Sequence, residues 1–250
     1  IEDNISWLKK FFYKAGNAAV KKWFQKTVVV SEGLKKEITE HHFRAPETVE
    51  VIHLGVQIPQ EFKKAEYPFE GLRTGRPLIG TISRFSREKG LERFLLAIPA
   101  VLRQIPQSTF ILIGKGDEES NLTALAKKLG IEEKLAIQTI KDWSDELVYG
   151  NLEKIDIFVM PSLREGCPTS LLQALAFARP VIASDIEGVR DIIEDGKNGI
   201  LADTADTSAF ADKIVLLSKD RERALCLGNR GRDKVNADFT IDSEMAKIRK

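Results

Sequence analysis

Cysteine and histidine are scarce in this chain of 250 residues, with two of the first and three of the second. Cys167 and Cys226 offer neither metal-ligand spacing nor a disulfide framework, so no metal site is expected and a reducing compartment is the simpler setting. His41, His42 and His53 all precede the main series of strand-like runs, and no serine–histidine–acid arrangement emerges from them. No run approaches the ~18 consecutive apolar residues of a membrane span. The opening stretch, IEDNISWLKKFFYKAG, lacks a secretory signal's order of basic head, apolar run and small-residue cleavage site. A cytoplasmic chain is expected. It begins at Ile rather than Met, as a processed or truncated piece would. Charge of either sign is also missing in excess: 38 basic and 37 acidic residues leave a net +1. Such a balance gives no broad field for nucleic acid or an anionic membrane, so any anion site must be local. Repeats, low-complexity tracts and long heptad patterns are absent.

What is present is 43 % apolar content, enough for one large core and a second, smaller unit. Residues 7–23 place Trp7, Phe11, Ala15, Ala18 and Trp23 near helical spacing among lysines. That pattern fits a helix packed on protein with snorkelling lysines, or one lying on the inner face of a membrane. TVVVSEGLKKEI reads as a strand followed by a helix capped at Ser31, and VEVIHLG as another strand. Proline and glycine then punctuate residues 55–77, marking a linker between a terminal part at 1–54 and a larger unit at 78–250. Within that unit PLIGTIS, TFILIG, LAIQTI, IDIFVM, PVIAS and GILAD alternate with helical patterns. Apolar runs without strict alternation suit strands buried on both faces, which predicts an α/β fold with a Rossmann-like parallel sheet. Pro99 should bend the helix around LERFLLAIPAVLRQI or force a local rearrangement, and NLTALAKKLG ends at a glycine cap.

Ligands of open parallel sheets bind beyond the C-terminal strand ends. Candidate walls therefore follow Ser83, Ile113, Thr139, Met160 and Ser184. In GTISRFSREKG, Arg84 offers a directional fork and Lys89 a compact charge for two phosphoryl groups, although basic residues are also common in solvated loops. In IGKGDEE, Gly114 and Gly116 permit a close backbone approach or simply turn the chain, and the spacing is not that of a P-loop. Thr139 and Ile140 end the third run. Glu165, Gly166, Cys167, Pro168 and Thr169 form a loop at a helix start, where unpaired N–H groups can receive an anion. Glu165 is either an acceptor for ligand hydroxyls or a turn carboxylate; Gln173 is either a second hydroxyl contact or an ordinary helix-surface amide.

SRFSREKG at 83–90, FILIGKGDE at 110–118, IDIFVMPS at 155–162 and REGCPTSLLQALAFARPVIASD at 164–185 together resemble the donor-binding C-terminal domain of retaining GT-B glycosyltransferases of family 4. VVVSEGLKKEITE and VIHLGV resemble the end of that family's N-terminal domain. The resemblance covers nearly the whole chain, while much of the acceptor-binding half is absent. It implies that Arg84 and Lys89 hold the donor diphosphate and stabilise the departing nucleotide, and that Glu165 binds the donor sugar. Gln173 stands at the second position of an E-x7-E motif, where relatives contact the ribose with glutamate. Leu54-Gly55 replaces an Asn-Gly pair, an exchange read as architectural. In VIASDIEGVRD, Glu187 precedes Gly188 and Asp191 takes the acidic position. A carboxylate there would alter sugar choice or face solvent.

The implied function is transfer of a sugar from a UDP- or GDP-sugar to a hydroxyl of a glycan or lipid-linked acceptor in envelope or polysaccharide assembly. It needs no cofactor beyond the nucleotide-sugar substrate, and no nucleic acid partner. The competing reading is a noncatalytic nucleotide or sugar-phosphate binding module. An NAD enzyme is disfavoured, because the first strand-end loop carries Arg84 and Lys89 rather than G-x-G-x-x-G.

Overall fold

All six apolar runs of the larger unit become strands, and the helical patterns between them become the connections. The computed structural model describes residues 26–40, 44–57, 76–140 and 143–249. The expected helix at 7–23, His41, His42 and most of the linker lie outside these residues. A first unit consists of β1 (Thr27–Val29), α1 (Glu32–Glu40) and β2 (Val49–Val51), the two strands pairing in parallel. Ser31 caps α1 as its sequence position suggests, its Oγ accepting from the Leu34 N–H at 3.2 Å.

The second unit runs β3 (Leu78–Ile82), α2 (Leu91–Gln104), β4 (Thr109–Gly114), α3 (Glu119–Leu129), β5 (Leu135–Thr139), α4 (Asp145–Leu152) and β6 (Ile157–Met160). It continues through α5 (Thr169–Ala176), β7 (Val181–Ser184), α6 (Glu187–Arg190), β8 (Ile200–Ala202), α7 (Thr207–Lys219), α8 (Arg221–Asp238) and α9 (Ile241–Ile248). The sheet is parallel throughout, in the order β5-β4-β3-β6-β7-β8. β3 and β6 are neighbours at its centre, yet their following crossovers lead outward in opposite directions. The crevice of a doubly wound sheet opens at this reversal, beyond the strand C-termini.

Side-chain alternation explains why the strand sequences are continuously apolar. Phe110, Leu112, Ile157 and Val159 enter one buried cluster with α2, α3 and α7. Ile111, Ile113, Phe158 and Met160 enter another with α4 and α5. Both faces are covered, so β4 beyond Thr109 and all of β6 hold only apolar residues and glycine. α2 runs through Pro99 as a single element, with Leu91, Phe94, Leu95, Ala97, Ile98 and Val101 buried. An interior proline costs ~3 kcal/mol, while each large side chain buried contributes about 1.5–3 kcal/mol, so packing holds the helix together.

The two units meet at Asp191, just beyond α6. Its Oδ2 accepts from the Glu32 N–H at 2.8 Å and lies 3.3 Å from His53 Nε2. His53 thus belongs to the joint. Nearby the Gly55 N–H donates to Glu244 Oε2 at 2.9 Å, and Val56 bridges to Thr240. A Cβ at Gly55 would strike the Thr240 backbone, so this crossing point requires glycine. Among the described residues no helix is long and apolar enough to cross a membrane.

Ala178, just past the end of α5, has φ 52, a left-handed conformation that disfavours a side chain. Ala178→Gly should relieve this strain by more than the added chain entropy costs, a net gain of about 0.5–1 kcal/mol. A higher urea midpoint at unchanged slope is the expected result.

Candidate active site

Two strand-end loops converge at the reversal of the sheet. After β3, the Ser83 N–H continues the ladder to Ile113 O, and fully buried Phe85 anchors the loop while Arg84 beside it remains exposed. The chain then makes a 3-10 turn, Arg87–Lys89, that ends at Gly90 with φ 57. A Cβ at Gly90 would collide with the Pro161 carbonyl, so glycine lets this turn approach the loop after β6. The Leu163 N–H donates to Glu88 O at 2.8 Å and joins the two loops. On the far side, a Cβ at Gly188 would collide with the carbonyl oxygens of Glu165 and Gly166, so only glycine allows α6 to support the loop from beneath.

This convergence presses Lys89 onto Glu165. Lys89 Nζ lies 2.8 Å from Glu165 Oε1, and Ser162 Oγ donates to the same oxygen at 2.7 Å. The side chains of Lys89 and Glu165 are only 17 % and 10 % exposed. Arg84 is different: 68 % exposed and 3.3 Å from Glu88 four residues along the loop, in a pair that contributes little to stability. Its fork is therefore inexpensive to redirect. Arg84, Lys89 and Glu165 border a cleft of about 480 Å³ whose wall continues through Cys167, Pro168, Thr169 and Ser170 to Gln173. Among the described residues no side chain caps the Pro168 start of α5, and Thr169 and Ser170 of its first turn line the cleft, where backbone N–H groups suit an anion. Among the described residues no group of three or more His, Cys, Asp and Glu side chains could hold a metal ion.

Residues 62–234 match the glycosyl transferases, group 1. The chain belongs to this family. The group 1 chain is 28 % identical over 180 residues to a GDP-mannose-dependent alpha-(1-6)-phosphatidylinositol monomannoside mannosyltransferase of Mycobacterium tuberculosis, covering 69 % of itself and 46 % of that protein. It superimposes on the C-terminal domain of a group 1 family protein, LpcC, from Francisella tularensis with TM-score 0.63 and 26 % identity, covering 75 % of this chain and all of that domain. Staphylococcus aureus TarM in complex with Fondaparinux, alpha-GlcNAc-glycerol and UDP matches at TM-score 0.79 and 22 % identity, over 96 % of this chain and 45 % of TarM. The architecture is thus the C-terminal Rossmann-like domain of a GT-B glycosyltransferase with part of the N-terminal domain. The group 1 chain spans about half the length of the curated relatives it matches.

Of the residues singled out in the sequence, the cleft brings together Arg84, Lys89, Glu165, Cys167, Pro168, Thr169 and Gln173. Gly114, Thr139, Ile140 and Gly166 do not line it. Gly114 and Gly116 do permit a close approach, but to the Ser83–Phe85 backbone rather than to an open cavity. The Thr139 hydroxyl is engaged by Glu119 Oε1 at 2.6 Å, and Ile140 is buried in the core. Glu187 is exposed and sits 3.7 Å from Lys36, off the cleft wall. Leu54 lines the cleft, as do Ser83, Trp143 and Val148, none of which the sequence marked as a ligand contact. The Ser83 hydroxyl is buried with no partner among the described residues.

Burial pushes the Cys167 thiol up to about 11, only partly opposed by the Leu54 backbone N–H that bonds to it. At pH 8 about one molecule in a thousand carries the thiolate. Iodoacetamide should label exposed Cys226 well before buried Cys167, as measured by peptide mass spectrometry.

Proposed function

We propose that this chain is the donor-recognition part of a retaining glycosyltransferase that moves a sugar from UDP- or GDP-sugar to a hydroxyl of a glycan or lipid-linked acceptor. The observation that carries this reading is the meeting of Lys89 and Glu165, from opposite sides of the sheet reversal, at the uncapped start of α5. Arg84, Lys89 and the first-turn N–H groups provide positive charge for a diphosphate. Glu165 provides a buried acceptor for sugar hydroxyls, and Gln173, one turn into α5, an amide for the ribose. With the sugar end at Glu165, Trp143 and Val148 form the remaining wall, suited to a nucleobase face.

The chemistry follows from where charge develops. As the bond from sugar to phosphate breaks, its electron pair goes to the diphosphate oxygen, and Arg84 and Lys89 stabilise that oxygen more strongly than in the ground state. Each charged hydrogen bond contributes ~1.5–3 kcal/mol. Glu165 orients the sugar rather than attacking it, being committed to hydroxyl contacts. Retention at the anomeric carbon is what the family resemblance implies. The reaction belongs in the cytoplasm, where nucleotide sugars are the donors, with peripheral membrane contact through residues 7–23 tested by vesicle sedimentation of the chain with and without them. A second reading, donor binding without transfer, is favoured for this chain by itself because its described residues supply donor contacts and no identified acceptor group.

Arg84→Ala and Lys89→Ala should each weaken UDP or GDP binding about tenfold or more in calorimetry, with folding preserved. Glu165→Gln, which retains the side chain's size, should weaken the sugar nucleotide and spare the free diphosphate. Unchanged affinity in the Arg84 and Lys89 variants would refute the diphosphate assignment.

A further inference from the structure

One buried hydroxyl beside the cleft plays no part in the donor reading. Ser162, two residues past β6, is 1 % exposed, and its Oγ spends its proton on Glu165 Oε1. Lys89 uses the same oxygen. Two donors therefore share Oε1, whereas Oε2 has no hydrogen-bond donor among the described residues. Glu165 borders both the donor cleft and a second hollow of about 320 Å³ between α1 and α6, so it is the partition between two cavities.

A diphosphate competes for Lys89 with more negative charge than one carboxylate offers. As the ammonium turns toward phosphate, Glu165 loses a donor while nine-tenths removed from water. A carboxylate in that position stays fixed only if another group continues to hydrogen-bond it. The serine hydroxyl is that group, because its approach does not depend on Lys89 and it has no charge to attract phosphate away from the sugar end.

We propose that Ser162 is the positioning residue of Glu165. It holds Oε1 when Lys89 transfers its hydrogen bonds to the diphosphate, and so keeps Oε2 available to donor-sugar hydroxyls. The proposal rests on the donor reading above. It also separates the two roles of the Lys89–Glu165 pair: the lysine is exchanged on binding, and the glutamate remains in place. A hydroxyl that merely stiffened the loop would affect every ligand of the cleft alike, since the same loop leads into the α5 mouth. A positioning hydroxyl affects the sugar alone.

The test is calorimetry on the full 250-residue chain with four probes, UDP, UDP-glucose, GDP and GDP-mannose. Ser162→Ala, Ser162→Cys and Ser162→Thr are compared with the unaltered chain, with thermal melting to confirm folding. The cysteine variant is nearly isosteric and a weak donor, so it serves where alanine leaves a destabilising void. For whichever nucleotide binds, the alanine and cysteine variants should lose about tenfold in affinity for the sugar nucleotide, with the free diphosphate unaffected. Threonine, which retains the hydroxyl, should restore the sugar affinity. Equal losses for sugar nucleotide and diphosphate, or no loss in a folded variant, would overturn the proposal. If Glu165→Gln weakens the sugar nucleotide selectively while Ser162→Ala does not, the donor reading stands and the role of Ser162 falls. If the unaltered chain binds none of the four probes, both fall together.

Discussion

A lysine ammonium and a glutamate carboxylate, both largely withdrawn from solvent, lie 2.8 Å apart where two halves of a parallel sheet diverge. Bringing both charges out of water costs several kcal/mol per ion before their attraction offsets it. The pair is therefore weak evidence for stability and stronger evidence for poise. Each member is the correct counter-charge for the other, and each is also suited to one end of a sugar diphosphate. A ligand that supplies phosphate to one and hydroxyls to the other replaces their mutual contact without stranding either charge. Water could solvate neither so well in this position.

Local charge also resolves the tension between a chain with net charge +1 and an anionic ligand. The cleft concentrates two cations and an uncapped helix start on one side, and the surrounding charges are largely spoken for. Arg164 pairs with Glu37, Arg190 with Asp185, and Arg87 with Glu118. The acidic run at Asp117–Glu119 follows β4 but turns away from the cleft: Glu118 bonds Arg87 and Asn121, and Glu119 accepts from Thr139. Arg84 and Lys89 themselves pair with Glu88 and Glu165, so an anion entering where the loop after β3 meets α5 must compete with carboxylates, with no broad field over the molecule to assist it.

The strands were legible in the sequence because burial on both faces leaves no alternative to continuous apolar runs, as β4 and β6 demonstrate. The caps at Ser31 and Gly130 were legible too, since each depends on neighbours within four residues. Tertiary convergence was not. That Gly114 and Gly116 approach the Ser83–Phe85 backbone depends on hydrogen bonds from Phe85 to Lys115 and from Glu118 to Phe85, across about thirty residues of sequence. Thr139 sits at a strand end, as the topological rule for ligand sites requires, but at the edge strand β5, away from the reversal between β3 and β6. Ser162 was visible in the motif but silent, because a serine after a proline has many possible partners and only the fold selects Glu165. Trp143 carried no pattern at all.

The cleft and the joint between the two units are also one structure. The Leu54 side chain lines the cleft, and its backbone N–H bonds to Cys167 in the loop that carries Glu165. The next residue, Gly55, donates to Glu244 on α9 and packs against Thr240 too closely for any side chain. Two residues before Leu54, Ile52 continues the ladder to Val29 of β1, while His53 meets Asp191 beyond α6. Four consecutive residues thus tie the first unit, the C-terminal helix, the support of the Glu165 loop and the cleft wall to one another. This tetrapeptide joins the contacts of α1 with Asp191, Glu187 and Arg164 in tying the first unit to the Rossmann-like domain, and it places Leu54 in the cleft wall. The contact of Lys89 with Glu165 and the crossing at Leu54 thus border one and the same cleft.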